Sequence, residues 1–398
     1  MTREEIRNDI LHLTSNCILA ELPTSVGKTK IALDFMNEKA VKGNILIVIP
    51  RLVLIQNWKD EFIKWKYDSY LSQVTFTTYI SLPKYTGKSY DLIIFDECHH
   101  LSQRAQEAVE DIQSDYCLLL SATVTKTFKK DIKLLFPNIE MYKISMREAI
   151  EEDILPDPRV FLIPLTLNST INSETLVINP KAKLDGGRIM FAQRFAAKKD
   201  KQHKYTIKCT QEQYYQDLSA MIDFYKRNYM HTNNQALYFR WQQKAKERLT
   251  WLSSLKNDTA KMLLKVLKNK RTLTFCNSIV QTKELGKYCI NSENSESDNY
   301  LQAFNSKKIN HITACNILNE GCNLTDCQVG IFVSINSSDI MTKQKNGRIL
   351  RHKNPVIFIL YYKNTREEEI VNSMMENYNP KLVATLKPEQ LNDIKTIY

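Results

Sequence analysis

The sequence has no apolar run approaching the roughly 20 residues that a bilayer-spanning helix needs. Its first ten residues, MTREEIRNDI, are too charged for a secretory signal. Neither membrane insertion nor export is expected, and the cytoplasm is the expected compartment. A C-x-x-C pair is also missing: nine cysteines, an odd number, are scattered through 398 residues. That spacing suits neither a zinc site nor a disulfide framework. The tightest group, Cys315, Cys322 and Cys327, is irregular and lies among apolar residues, so it reads as core. No internal repeat is present beyond a weak echo between two halves.

What is present is a globular composition, 43% hydrophobic and 25% charged, in a chain long enough for about two to three domains. The net charge of +11 favours a polyanionic partner, because clustered Lys and Arg gain affinity by releasing counterions condensed on a phosphate backbone. Solvated lysine-rich surfaces are common, so charge alone names no site.

Apolar runs alternate with amphipathic stretches over the first 150 or so residues, the pattern that builds a parallel sheet covered by helices. The runs are Ile18 to Leu22, Ile45 to Ile49, Val74 to Thr78, Leu92 to Phe95 and Cys117 to Leu120. A second series begins near Leu273 with TLTF, followed by HITAC, VGIFVS and VIFILYY. Two α/β domains are expected, 1–157 and 158–398, the second interrupted at about 168–270 by an insertion. The insertion holds a polar loop, a basic stretch and two long helical patterns, QEQYYQDLSAMIDFYKRNYM and a run around ALYFRWQQKAKERLTWLSSL. INSENSESDNY reads as a polar linker inside the second domain.

Two stretches carry chemistry. In ELPTSVGKTK a strand gives way to a helix through Gly27, Lys28 and Thr29. The first N–H groups of such a helix point at one spot and suit an anion. Lys28 adds a positive charge and Thr29 a hydroxyl for Mg²⁺. In DLIIFDECHH a buried strand ends in Asp96 and Glu97, at the sheet edge where open α/β folds bind ligands. Asp96 is placed to hold Mg²⁺ through its water shell, and Glu97 to deprotonate a water attacking a γ-phosphate. Acidic residues are also favoured at helix starts for dipole reasons alone. That accounts for one carboxylate, but not for a pair roughly 70 residues after a phosphate-loop candidate.

With both stretches in order, the chain resembles the superfamily-two helicases, in the DExH branch of XPB-like, phage recombination and restriction-type translocases. LPTSVGKT resembles motif I, IPRLVLIQNW motif Ia, DECHH motif II and Ser121-Ala122-Thr123 motif III. FTTYISL resembles the later first-domain motif near the nucleic-acid backbone. TLTFCNSI, ACNILNEGCNL and QKNGRILR resemble motifs IV, V and VI. The resemblance covers both α/β domains and not the insertion. It departs at Ser25, where the family usually has glycine, and at Cys315, Asn323 and Lys345. No Arg-x-x-Gln pair precedes motif I.

The resemblance implies two tandem RecA-like P-loop domains with parallel sheets, plus an inserted, mostly helical basic segment. ATP with Mg²⁺ would be the cofactors. The phosphates would lie on Pro23, Thr24, Ser25, Val26, Gly27, Lys28 and Thr29, with Gly321 also at the nucleotide and Mg²⁺ shared by Thr29 and Asp96. Glu97 would position the water. Arg348 and Arg351 would neutralise the transferring phosphoryl group from the second domain, and Gln344 would read ATP or support His99. His99, Ser121 and Thr123 would couple the site to nucleic acid, contacted by Arg51, Thr78, Tyr79, Cys276, Asn277 and Asn316. From Lys181 to Lys204 there are eight Lys or Arg against two Asp, with Phe191 and Phe195 interleaved, so Lys198, Lys199 and Lys201 are candidate phosphate contacts. DNA is favoured over RNA as partner, in replication, recombination or repair. The alternatives are an RNA helicase, or a nucleotide-gated clamp or motor within a larger restriction or remodelling complex. A monomer is expected, working alone or with other replication or recombination proteins. The Lys-, Asn- and Ile-rich composition suggests an AT-rich genome, such as that of a phage or a low-GC bacterium.

Overall fold

The computed structural model describes residues 1–39, 43–179, 198–199, 204–315, 324–336, 349 and 351–393. The first α/β unit holds strands β1 (Cys17–Glu21), β2 (Ile45–Ile49), β3 (Val74–Thr78), β4 (Ser89–Asp96), β5 (Gln113–Ser121) and β6 (Glu140–Lys143). Their order in the sheet is β3-β2-β4-β5-β1-β6, and every pairing is parallel. All five residues of β2 are buried, as expected for a strand covered by helices on both faces. Because β5 lies between β1 and β4, the turns after these three strands emerge side by side at one edge of the sheet. The edge strand β6 carries only half-buried and exposed residues and has no apolar run to announce it.

The helices of this unit follow from spacing and caps. Helix α1 (Arg3–Leu11) begins in a capping box, Thr2 and Glu5 each bonding the other's backbone, and buries Ile6 and Ile10 one turn apart. Helix α2 (Lys28–Glu38) follows the glycine turn. Helix α3 (Leu54–Lys64) buries Leu54, Trp58 and Phe62 at intervals of four.

The second sheet is also all parallel, running in order through Cys289–Ile290 (β12), His311–Ala314 (β13), Thr272–Phe275 (β11), Val329–Phe332 (β14), Val356–Tyr362 (β15), Arg159–Leu165 (β7) and Val383–Thr385 (β16). Strand β7 (Arg159–Leu165) pairs along its whole length with β15 (Val356–Tyr362), although more than a hundred residues separate it from β11 (Thr272–Phe275). Between them β8 (Glu174–Ile178), β10 (Tyr205–Cys209) and the short β9 (Lys198–Lys199) form an antiparallel sheet. Two long helices follow, Gln211–Thr232 and Gln235–Ser254, packed against each other. Asn233, left-handed at φ 52°, ends the first, and the Asn234 side chain caps the second, so two asparagines suffice to reverse the chain. The next helix, Asn257–Val266, buries Ala260 and Leu263 against Ile331, Val356 and Phe358 of the second sheet. At this junction Lys256 is fully buried, its Nζ donating to Glu367 Oε1 at 2.6 Å and to Val333 O at 2.9 Å. Burial pushes the Lys256 ammonium pKa down, and Glu367 opposes the shift.

INSENSESDNY is not a linker. Ile290 belongs to β12 (Cys289–Ile290), and Ser297 opens a helix to Asn305 that buries Phe304. Ser297 donates to the Asn291 carbonyl at 2.9 Å and Asn291 accepts from the Glu293 N–H at 3.1 Å, so the polar residues close a tight turn. Among the described residues no helix is long and apolar enough to cross a membrane.

His311 opens β13 (His311–Ala314) with its Nε2 3.1 Å from Thr274 Oγ1. Burial lowers its pKa to about 4. The folded chain therefore binds fewer protons there than the unfolded chain between pH 4 and 6.5, and stability is lost as pH falls through that window. Denaturant titrations should show a loss of at most about 3 kcal/mol across it, and His311→Gln should flatten the slope. An unchanged slope in the variant would refute the assignment.

Candidate active site

The loop Pro23 to Thr29 joins β1 to α2 at the edge where β4 and β5 also end. Gly27 sits at φ 108° as the cap of α2, which receives no side-chain cap. A Cβ at Gly27 would meet nothing within 4 Å, so glycine is needed for conformation and not for room. Ser25, where glycine was expected, adopts φ 75° nonetheless. Buried Pro23 and Val26 and a bond from the Leu22 N–H to the Ser121 carbonyl at 2.9 Å fix the loop to the sheet. Lys28 opens α2 and places Nζ 2.9 Å from Glu97 Oε1; Thr29 follows it in the first turn.

Glu97 leaves β4 in the left-handed region, at φ 51°, which turns its carboxylate back toward Lys28. His99 Nδ1 lies 3.5 Å from Glu97 Oε2 and 2.9 Å from Ser121 Oγ. Ser121 in turn donates to the Thr123 carbonyl at 2.9 Å. Lys28, Glu97, His99, Ser121 and Thr123 thus form one connected chain through three turns. Burial alone would raise the Glu97 pKa, but the Lys28 ammonium and His99 outweigh it and hold the carboxyl below its usual range. Asp96 is pushed the other way, up to about 6, by desolvation first and the neighbouring Glu97 second, with Lys28 opposing.

The second domain reaches this loop through Arg351, whose Nε donates to Ser25 Oγ at 3.2 Å. Gln344, Arg348, Gly321, Asn316 and Lys201 lie outside the described residues.

Of the expected nucleic-acid contacts, Arg51 is exposed just beyond β2 and Thr78 is half-buried at the end of β3. Lys198 and Lys199 are exposed on β9. Tyr79 is a correction. It is buried, its hydroxyl donates to the Asp96 carbonyl at 2.7 Å and its ring stacks on Phe95, so it braces the end of β4 instead of meeting a strand. Cys276 is likewise buried, because it continues the apolar face of β11. Both ends of the Asn277 amide are engaged within the protein, with Thr250 at 2.7 Å and Ser334 at 3.4 Å, so it too serves packing.

Two contributors were missed. Trp58 donates from Nε1 to Asp96 Oδ2 at 3.1 Å; the signal was a tryptophan on the core face of α3, whose N–H needs a partner. Lys129 bonds Glu21 Oε2 at 2.6 Å, tying the end of β1 to the helix Lys126–Leu135, and no motif marks that pair.

The donor set fits a magnesium-bound triphosphate. No side chain caps α2, Lys28 stands at its start, and Glu97 Oε2 is buried with the His99 ring 3.5 Å away, too loosely placed for a regular hydrogen bond. Phosphate oxygens would satisfy the helix N–H groups, Thr29 and Asp96 could hold the cation, and Glu97 retains an oxygen to accept a proton.

Residues 4–126 match the family of the type III restriction enzyme res subunit, and residues 254–353 match the helicase conserved C-terminal domain. The chain is 25% identical over 362 residues to the DNA 3'-5' translocase XPB2 of Sulfurisphaera tokodaii, covering 83% of this chain and 74% of that protein. Its fold is similar to S. cerevisiae Dbp5 bound to RNA and ADP BeF3, with TM-score 0.61 at 9% identity over 99% of this chain and 91% of that one. It is also similar to the Pyrococcus furiosus Hef helicase domain, with TM-score 0.51 at 16% identity over 94% and 97%. A putative HsdR subunit fragment from Vibrio vulnificus gives 0.56 at 14% identity over 97% and 68%. Two parallel α/β sheets in tandem, joined across a glycine-lysine-threonine loop, are the RecA-like pair of these helicases. Together these matches support a superfamily-two helicase or translocase of the XPB and restriction-enzyme type.

Proposed function

We propose that this chain hydrolyses ATP with Mg²⁺ at the loop Pro23 to Thr29 and uses the cycle to move along or remodel DNA, as an enzyme of the DExH type. The observation that carries the reading is the continuous chain from Lys28 through Glu97 and His99 to Ser121. It joins the residues that would touch phosphate to the turn that leads away from the site.

In this mechanism Lys28 and the first N–H groups of α2 hold the β- and γ-phosphates, and Thr29 and Asp96 hold Mg²⁺. The cation, when bound, neutralises charge on the phosphates. Glu97, kept ionised by Lys28, orients the attacking water and accepts its proton. Arg348 and Arg351 act from the second domain on charge that develops in the transition state, with Gln344 beside them and Gly321 at the nucleotide. Closure of the two domains on ATP, and its release on hydrolysis, moves the nucleic acid. Arg51, Thr78 and Asn316, with Lys198, Lys199 and Lys201 of the insertion, contact its backbone.

DNA is favoured because the 25% identical relative spanning 83% of this chain is a DNA translocase, whereas the RNA-bound neighbour shares only its fold, at 9% identity. A second reading is a motor that translocates without separating strands inside a larger complex, favoured by the match of residues 4–126 to a restriction-enzyme subunit. A cytoplasmic monomer in a bacterial or phage-infected cell is the setting proposed for either. ATPase rates measured without nucleic acid, and with single-stranded DNA, branched duplex DNA and RNA, test the reading. Stimulation by DNA above RNA supports it. Indifference to every nucleic acid contradicts it.

Lys28→Ala and Glu97→Gln should each reduce turnover at least about a hundredfold, or roughly 2.7 kcal/mol of transition-state stabilisation. Glu97→Gln should still bind ATP, which equilibrium binding of a fluorescent ATP analogue will show. Turnover within about threefold of wild type would refute the assigned roles.

Reversing Lys198, Lys199 and Lys201 to Glu should weaken DNA binding uniformly across sequences. The slope of log K against log salt should fall by about 0.7 to 0.9 for each phosphate no longer neutralised. ATPase without nucleic acid should be unaffected, and an unchanged slope would place these lysines away from DNA.

A further inference from the structure

The phosphate loop holds a serine in a conformation that favours glycine. At φ 75° the Ser25 Cβ lies in the left-handed region, where L side chains crowd their own backbone. The rest of the loop is explained by what it touches: Pro23 and Val26 are buried, the Leu22 N–H reaches the Ser121 carbonyl, and Gly27 supplies the second left-handed residue without penalty. Glycine at 25 would relieve the strain, and with it would go the hydroxyl. That hydroxyl accepts a hydrogen bond from Nε of Arg351 at 3.2 Å, across 326 residues of chain and from the opposite domain.

The Arg351 side chain is exposed, and the Ser25 acceptor fixes one direction of its guanidinium. A bond through Nε uses the inner N–H of the guanidinium and does not consume its outer edge, which the two terminal amino groups form. Those groups form the edge that binds a phosphoryl group in fork geometry. We infer that Ser25 is a positioning residue, whose hydroxyl holds the Arg351 guanidinium at the mouth of the phosphate loop so that its two terminal amino groups face the transferring phosphoryl group. The inference rests on the proposed ATP hydrolysis. It adds an element of this chain's own, a strained serine in place of glycine that couples the first domain's loop to the second domain's arginine.

Steady-state ATPase measurements on Ser25→Ala, Ser25→Gly, Arg351→Ala, the double variant Ser25→Ala/Arg351→Ala and Lys28→Ala test it. Ser25→Ala keeps the strain and loses the hydroxyl, whereas Ser25→Gly loses both. Both should lower kcat about tenfold with the KM for ATP within about threefold, and Ser25→Gly should melt at a higher temperature than Ser25→Ala. In the Arg351→Ala background Ser25→Ala should cost nothing further, since the pair acts as a unit. Wild-type kcat in either serine variant, or losses that multiply in the double variant, overturns the inference. If Lys28→Ala is inactive while Ser25→Ala matches wild type, this inference alone fails. If Lys28→Ala keeps its turnover, the hydrolysis assignment fails and the inference with it.

Discussion

The contact between Lys28 and Glu97, 2.9 Å apart and largely shielded from water, is the interaction on which the candidate site depends. Lys28 ends the loop after β1 and Glu97 starts the turn after β4, and the parallel sheet delivers both to the same edge. With β5 running antiparallel between these strands, the turn after β5 that carries Thr123 would leave from the opposite edge. Glu97 adopts a left-handed backbone to make the contact, and such strain persists only where surrounding structure over-determines it. His99 and Ser121 supply that support on one side, and Tyr79 and Trp58 supply it on the other by holding Asp96. The ion pair thus joins the phosphate loop to the end of β4, and His99 extends it to the turn that follows β5.

The second sheet takes strands from both sides of the long stretch between β7 and β11. Strand β7 lies before the inserted residues and pairs with β15 through seven consecutive residues, and the helix Asn257–Val266 packs on the same sheet after them. Lys256 and Glu367 lock the point of return. Removing either partner of a buried pair leaves an uncompensated charge, which is far more costly than the net worth of the pair.

Much of this was legible in the sequence, for physical reasons that also explain the gaps. Strands β2, β4 and β5 announce themselves because burial on both faces demands unbroken apolar runs, and Lys28 and Glu97 are found because their motifs sit at the ends of such runs. Edge strand β6 has no such demand and left no signal. Tyr79 and Cys276 were misplaced because a motif marks a position along the chain and not the direction of a side chain; burial, visible only in three dimensions, turns both inward. Trp58 and Lys129 were overlooked since their partners, Asp96 and Glu21, are distant in sequence. Polar composition misled at INSENSESDNY, where asparagine and serine side chains bond neighbouring backbone and build a turn.

The central claim is that nucleotide and nucleic acid act on one another through a cleft shared by two domains. Reciprocal binding tests it most directly: the Kd for ATP on the Glu97→Gln variant with and without saturating single-stranded DNA, and the Kd for that DNA with and without saturating ATP. Linkage requires the two ratios to be equal. The account predicts that each ligand tightens the other, by the same factor of at least about fivefold. Affinities that are independent of the other ligand would contradict it.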